Sequence, residues 1–204
     1  MKLHWSPRSP FVRKVMIAAH ELGLEKRLTL LRTVVAMSKP NEALLSDNPI
    51  GKIPTLVLDD GAAIYDSLTI CEYFDALAGD GRLFPAARPE RWSALTRHAL
   101  ANGLLDVLIL WRNERDKPQA RQTPEWIAGF ALKTRAALER FEQLAPRLGD
   151  TPFDIGHIGI GCALSYLDFR FADLNWRAGH PSLTAWYQSF CERPSAKATE
   201  IVDG

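Results

Sequence analysis

Three short stretches of this sequence combine hydroxyl, proline and acidic residues in ways that could hold an anion or a peptide. The first is Ser6-Pro7-Arg8-Ser9-Pro10-Phe11, directly before a helical pattern. A helix start projects N–H groups without intrahelical partners and a partial positive charge, so an anion is stabilised there. Ser9 also has a local use, because Ser is a favoured N-cap and Pro10 at the first helical position has no N–H to waste. The two uses coexist, since the same geometry puts a hydroxyl beside an anion-binding helix end. The second stretch is Asn48-Pro49-Ile50-Gly51-Lys52-Ile53-Pro54-Thr55-Leu56. Only about 5–6% of X-Pro bonds in folded proteins are cis, and a trans Ile53-Pro54 bond would make a rigid turn into an edge strand. A cis bond would instead turn the Ile53 backbone outward, where it could pair with a peptide ligand. The third is Asp66-Ser67, which opens another helical pattern. Ordinary capping explains such a pair and is worth about 1 kcal/mol, yet a ligand carboxylate could share the same N–H groups.

The elements that must position these residues change character along the chain. Lys2 to Ser6 reads as a short strand, and the helix after it carries Phe11, Val12, Val15, Met16, Ala19 and Leu22 at three- and four-residue spacing, with Gly23 as its stop. Arg27 to Val35 is a second β-rich run, and Thr55–Leu58 with Ala63–Tyr65 flank the hairpin signal Asp59-Asp60-Gly61. The helix from Asp66-Ser67 carries Ile70, Cys71, Phe74 and Leu77 on one side. After the Gly-, Pro- and charge-rich segment 79–89 the strand patterns stop. Helical patterns then run from Glu90 to about Arg112, Pro124 to Leu144, Asp154 to Phe171 and Pro181 to Glu192. The expected organisation is an α/β domain over 1–78, a linker over 79–89 and an all-helical domain over 90–204. That division suits 204 residues, which lie between the usual sizes of one domain and two.

Composition narrows the function. An apolar fraction of 47% can supply a core, and 25 Lys and Arg against 24 Asp and Glu leave a net charge of +1. A chain so balanced has no field to recruit nucleic acid or anionic lipid, so neither is an expected partner. The uncharged run Ile155–Leu167 is short of the roughly 20 apolar residues of a membrane span and reads as a buried helix. The first residues show no apolar leader, and three widely spaced cysteines, Cys71, Cys162 and Cys191, make neither a disulfide framework nor a metal pattern. They read as packed thiols in a reduced, cytoplasmic protein without a metal.

Taken in order, Ser9-Pro10-Phe11 before a helix, Asn48 to Pro54 before a hairpin, Tyr65-Asp66-Ser67 before a helix, and the all-helical second half resemble the cytosolic glutathione transferases. The resemblance covers essentially the whole chain. It points to a bacterial YibF-like branch through Ser6–Lys14, Ala163–Phe171, His180-Pro181-Ser182-Leu183 and Arg193-Pro194-Ser195. Ile70-Cys71-Glu72-Tyr73 has an omega-like flavour, and Ser9-Pro10-Phe11 stands where omega members carry Cys-Pro-Phe.

The resemblance implies an α+β protein: a thioredoxin-like N-terminal α/β domain that binds glutathione, and a helical-bundle C-terminal domain that supplies an electrophile pocket, usually in a homodimer. Ser9 falls where the family places its thiol-activating hydroxyl, with Phe11 beside it. Ile53, before a family cis-Pro at Pro54, would pair its backbone with the cysteinyl part of glutathione. Asp66 and Ser67 match the acidic-Ser pair that takes the γ-glutamyl ammonium and carboxylate. Lys39 precedes Pro40 as a glycyl-carboxylate lysine does in omega members, and Lys52 is expected at the rim. Leu104, Leu108, Trp111, Arg112 and Arg115 are candidates for the electrophile wall, their alternative uses being core packing and a solvated face. Where relatives often carry Asp-Gly reaching the partner's γ-glutamyl amine, this chain has Asn102-Gly103, and that charge is absent. In the capping box of the third bundle helix His157 occupies the acidic position and reads as structural, while glycines 156, 159 and 161 read as allowing close helix packing.

The implied chemistry is activation of the glutathione thiol for attack on a small electrophile or a peroxide. A thiol of pKa about 8.5 is roughly 3% thiolate at pH 7, and lowering it by two units requires about 2.7 kcal/mol, within reach of one hydroxyl hydrogen bond plus a helix N-terminus. Two alternatives remain: a scaffold that binds glutathione or a protein without turnover, and a glutathione-dependent isomerase or dehalogenase. Disulfide exchange would want a Cys where Ser9 stands.

Overall fold

The computed structural model describes residues 1–79 and 81–203; Asp80, which falls within the predicted linker, and Gly204 lie outside the described residues. Two compact units are formed, Met1–Ala86 with Pro194–Gly204, and Ala87–Arg193.

In the first unit β1 (Lys2–Trp5) leads to α1 (Pro10–Glu21), then to β2 (Thr29–Arg32), a one-turn α2 (Glu42–Leu45), β3 (Thr55–Val57), β4 (Ala63–Ile64) and α3 (Ser67–Ala78). The sheet order is β2-β1-β3-β4, with β1 parallel to β2 and antiparallel to β3, and β3 antiparallel to β4. Leu3 and Leu56 face each other across the β1–β3 ladder and are fully buried. α1 stops as its sequence predicts: Gly23 adopts φ 68°, and the Leu24 and Gly23 N–H groups return to Ala19 O and His20 O, satisfying carbonyls the helix end would orphan. α1 is buried on more than its apolar stripe. Val12 and Val15 are in the core as the spacing requires, but Arg13 and Lys14 are buried with them.

β2 is shorter than the expected run from Arg27 to Val35, because Glu25–Arg27 winds as a 3-10 turn and the chain leaves the sheet after Arg32. The predicted linker behaves as part of the first unit up to Ala86. The Asp75 carboxylate accepts the N–H groups of Leu83 and Phe84, at 2.9 and 3.2 Å, and both side chains are buried. The C-terminal residues, which the sequence reading counts with the helical half, return to this unit through α8 (Pro194–Lys197). Arg13 donates to Ala196 O at 3.2 Å and Ser195 donates its hydroxyl to Glu21.

The second unit contains α4 (Arg88–Arg115), α5 (Pro124–Leu148), α6 (Ile155–Arg170) and α7 (Pro181–Cys191). Every residue from Ile155 to Leu167 is buried, as a helix apolar all round requires. The glycines of α6 explain how it fits. A methyl group at Gly156 would lie 2.9 Å from Ala94 O in α4, and one at Gly161 would lie 2.1 Å from the Phe190 ring in α7. Asp154 caps α6 by accepting from the Gly156 and His157 N–H groups, and the His157 ring lies against the cap, its Nδ1 2.8 Å from Asp154 Oδ1 and its Nε2 3.0 Å from Leu148 O. Among the described residues no helix is long and apolar enough to cross a membrane.

Candidate functional site

The strand register decides where the candidate residues of the first unit go. His4 at the end of β1 pairs with Thr55 at the start of β3, and Leu56 pairs with Ile64 at the end of β4. The segments after β1, before β3 and after β4 therefore emerge at one end of the sheet. These segments carry Ser9, Ile53-Pro54 and Asp66-Ser67. β2 runs parallel to β1, with Arg32 opposite Trp5, so the segment carrying Lys39 also leaves from that end.

Ser9 is the N-cap of α1 with φ −86° and ψ 118°, and Pro10 occupies the first turn. Its Oγ accepts the Val12 N–H at 3.2 Å. A hydroxyl that accepts from the backbone still owns one hydrogen to donate, so capping and donation to a ligand are compatible at the same oxygen. Phe11 follows on the first turn, half-buried, with Lys14 Nζ 5.4 Å from its ring centroid.

The Ile53-Pro54 bond is cis, and both residues are buried. Asn48 shapes the approach to it. Its side-chain amide donates to Lys52 O at 3.1 Å and to Thr55 Oγ1 at 3.0 Å, while its Oδ1 accepts from Ile50 N at 3.0 Å. Thr55 in turn donates to Lys52 O at 2.8 Å. Lys52 itself is exposed. The turn residues Asn48 and Thr55 hold the loop from within, a role that the Asn-Pro-Ile-Gly run signals only as a turn.

Asp66 caps α3, its Oδ1 accepting from Leu68 N at 3.0 Å and, more weakly, from Thr69 N at 3.5 Å. It is exposed, whereas Ser67 is 1% exposed and its Oγ accepts from Lys14 Nζ at 3.0 Å. Lys14 is the residue the sequence does not single out. It stands in α1 where the helical pattern leaves a polar position, yet α3 packs on α1 and buries it completely. Lys39 is exposed in a turn closed by its own N–H donating to Ala36 O at 3.3 Å.

In the second unit Leu104, Leu108 and Trp111 are buried, Trp111 with its ring 5.0 Å from that of Phe171. Arg112 donates to Asn113 Oδ1 at 2.8 Å and reaches Tyr166 Oη at 3.5 Å. Burial pushes the Tyr166 hydroxyl above its ordinary value, although the Arg112 and Arg170 charges oppose the shift. Arg115 pairs with Asp173 at 3.4 Å and lies 4.9 Å from the Phe171 ring centroid. Asn102 is half-buried, its amide 3.5 Å from Asp106 Oδ2. Cys71 and Cys162 are buried and Cys191 is half-buried, and none of the three is in a disulfide.

A four-stranded sheet whose one end gathers a helix-capping serine, a cis-proline and an Asp-Ser helix start, joined in one chain to a helical unit, defines the glutathione transferase fold: a thioredoxin-like N-terminal domain and an all-helical C-terminal domain. The chain belongs to the glutathione S-transferase family. The family's N-terminal domain matches residues 8–77 and its C-terminal domain residues 124–189. Among curated proteins it is 29% identical to the uncharacterized GST-like protein YibF of Escherichia coli K12 over 202 residues, 98% of either chain. A crystal structure of a glutathione transferase family member from Pseudomonas fluorescens Pf-5, with bound glutathione, is 41% identical with a TM-score of 0.95 and covers 99% of both chains. A further structure from the same organism, with bound S-(propanoic acid)-glutathione, is 38% identical with a TM-score of 0.91 over the whole of both chains.

Proposed function

We propose that this protein binds glutathione at the sheet end that carries Ser9, Ile53 and Asp66-Ser67, and activates its thiol for attack on a small electrophile. The observation that carries the reading is the Ser9 hydroxyl: it accepts the Val12 N–H and so keeps its hydrogen for an anion placed at the start of α1. The thiol proton goes to solvent, Ser9 donates to the sulfur left behind, and sulfur forms the new bond. Attack at carbon expels a leaving group with its electron pair or adds across a double bond; attack on a peroxide oxygen expels alkoxide, and a second glutathione then yields the disulfide. Ile53 pairs with the cysteinyl backbone, Asp66 and Ser67 take the γ-glutamyl end, and Phe11, Pro54 and Lys39 complete the glutathione contacts. Leu108, Trp111, Arg112 and Arg115 are assigned to the electrophile. The bound glutathione and its S-(propanoic acid) derivative in the Pseudomonas fluorescens structures support the ligand class. We read the protein as a cytoplasmic homodimer, supported by the exposed apolar side chains of Tyr65, Leu77 and Trp92 and tested by sedimentation equilibrium.

The test combines retention on glutathione-agarose with turnover of an aromatic halide and an organic peroxide. Retention and turnover by the wild type, with turnover lost in Ser9→Ala, is the expected result. Retention without turnover of either substrate identifies a glutathione-binding scaffold instead, and Ser9→Ala at full activity removes Ser9 from the chemistry.

A further inference from the structure

The Lys14–Ser67 pair gives the candidate glutathione site a component that its surface residues do not supply. Lys14 is fully buried, and its ammonium donates to the Ser67 hydroxyl oxygen at 3.0 Å, across 53 residues of sequence. An ammonium has three donors and no acceptor, so towards Lys14 the Ser67 oxygen can only accept. The one hydrogen of that hydroxyl must therefore point to another acceptor. Asp66 already accepts from the Leu68 and Thr69 N–H groups with its own side chain. The first turn of α3 thus presents a hydroxyl hydrogen backed by a positive charge one hydrogen bond behind it. Lys14 is 0% exposed, so little water surrounds that charge, and the Ser67 hydroxyl, on a residue 1% exposed, meets a ligand carboxylate once side-chain motion uncovers it.

We propose that Lys14 is a positioning residue for this site, acting through Ser67: it fixes the hydroxyl as a donor and adds the buried charge by which the site prefers a ligand bearing the γ-glutamyl α-carboxylate over the same ligand without it. The inference rests on the reading that glutathione binds here. The position of Lys14 on α1 links the γ-glutamyl carboxylate to the part of the site assigned to the cysteinyl sulfur, because the same helix begins at Ser9 and the same ammonium lies 5.4 Å from the Phe11 ring centroid.

The experiment is calorimetric titration of the full-length protein with two peptides. One is glutathione; the other is 4-aminobutanoyl-cysteinylglycine, which is glutathione with the α-carboxylate replaced by hydrogen. The wild type should prefer glutathione by at least about tenfold, the scale of one charge-assisted hydrogen bond. Lys14→Met, which keeps the unbranched side chain to within one atom of its length and removes its charge, should lose most of that preference by weakening glutathione alone. Lys14→Arg should restore part of it, and Ser67→Ala should lose it without the Lys14 change adding to the loss. Ser67→Ala keeps the test decisive if Lys14→Met does not fold. A merely structural lysine would weaken both peptides equally, and an unchanged ratio in Lys14→Met or in Ser67→Ala overturns the inference. Failure of the wild type to bind either peptide overturns the glutathione reading itself, which separates the two failures.

Discussion

Glu142 on α5 accepts the backbone N–H of Leu183 at 2.8 Å, so that one helix of the second unit caps another. The second carboxylate oxygen takes the Ser182 N–H at 3.0 Å. α7 needs this help because its N-cap, His180, makes no side-chain capping bond and Pro181 has no N–H. Burial alone would raise the Glu142 carboxyl, but the N–H groups of Leu183 and Ser182 outweigh it and hold the carboxyl below its ordinary range. Glu142→Ala should cost about 1 kcal/mol, as loss of a cap does, and Glu142→Gln somewhat less. Urea denaturation at pH 7 measures both.

The glycines of the helical unit divide by what surrounds them. A side chain at Gly156 meets the Ala94 carbonyl and the Arg97 Cβ inside 3 Å, and neither can move without shifting α4, whereas one at Gly103 meets nothing within 4 Å. Gly156→Ala should therefore destabilise by about 2 kcal/mol through overpacking. Gly103→Ala should stabilise by up to about 1 kcal/mol through helix propensity alone. Opposite shifts of the thermal midpoint are the expected outcome.

Asp154 is the buried hub at the start of α6, paired with Arg97 and hydrogen-bonded to His157 at 2.8 Å. Burial would raise its carboxyl, but the hydrogen bond from His157 and the charges of His157 and Arg97 prevail and hold it below the usual carboxylate range. A carboxyl lowered in the folded state contributes stability that is present above its unfolded value, about 3.9, and is lost as pH falls through the folded value. Asp154→Ala should cost about 3 kcal/mol at pH 7. The difference from wild type should shrink progressively below about pH 4, measured by denaturation across the acid range.

How much of this was legible in the sequence follows from how local each signal is. Ser9, Pro54 and Asp66 announce themselves because a cap, a proline and a turn are chemistry of neighbouring residues. Gly23 stops α1 for the same reason, and the α6 glycines stand out because they are costly in a helix unless another helix needs the space. Lys14 gives no such signal. A lysine at a polar position of an amphipathic helix reads as solvated, and only the docking of α3 on α1 buries it. The same is true of α8, four residues whose place on α1 depends on Arg13 and Ser195 bonds made across more than 170 residues of sequence. The segment after Gly79 reads as a linker from its composition, and it takes Asp75 accepting two N–H groups to tie Leu83 and Phe84 into the first unit.

Ser9 carries two roles that one substitution separates by magnitude. Loss of its cap bond to Val12 should cost about 1 kcal/mol of stability in Ser9→Ala. Loss of a donor to the thiolate should lower the conjugation rate by at least about tenfold, less than the change in thiolate population because nucleophilicity falls with pKa. The rate loss should ease as pH rises towards the free thiol value, about 8.5, where the thiolate forms without help. A pH profile of kcat/KM for wild type and variant reads this directly.

Asp66 combines a cap and a charge, and its amide variant keeps the first while removing the second. Its Oδ1 accepts from Leu68 N at 3.0 Å, which an Asn side-chain oxygen does equally well. Asp66→Asn should therefore leave the denaturation midpoint within about 0.5 kcal/mol of wild type. Binding responds differently, because the exposed carboxylate is the anion proposed to meet the γ-glutamyl ammonium and Asn offers no charge there. Glutathione affinity should fall by about two- to fivefold in Asp66→Asn, and the loss should diminish at high salt, as an exposed ion pair requires. Asp66→Ala should show the same loss of affinity together with about 1 kcal/mol of lost stability, so the two substitutions measured side by side separate the ligand contact from the helix cap.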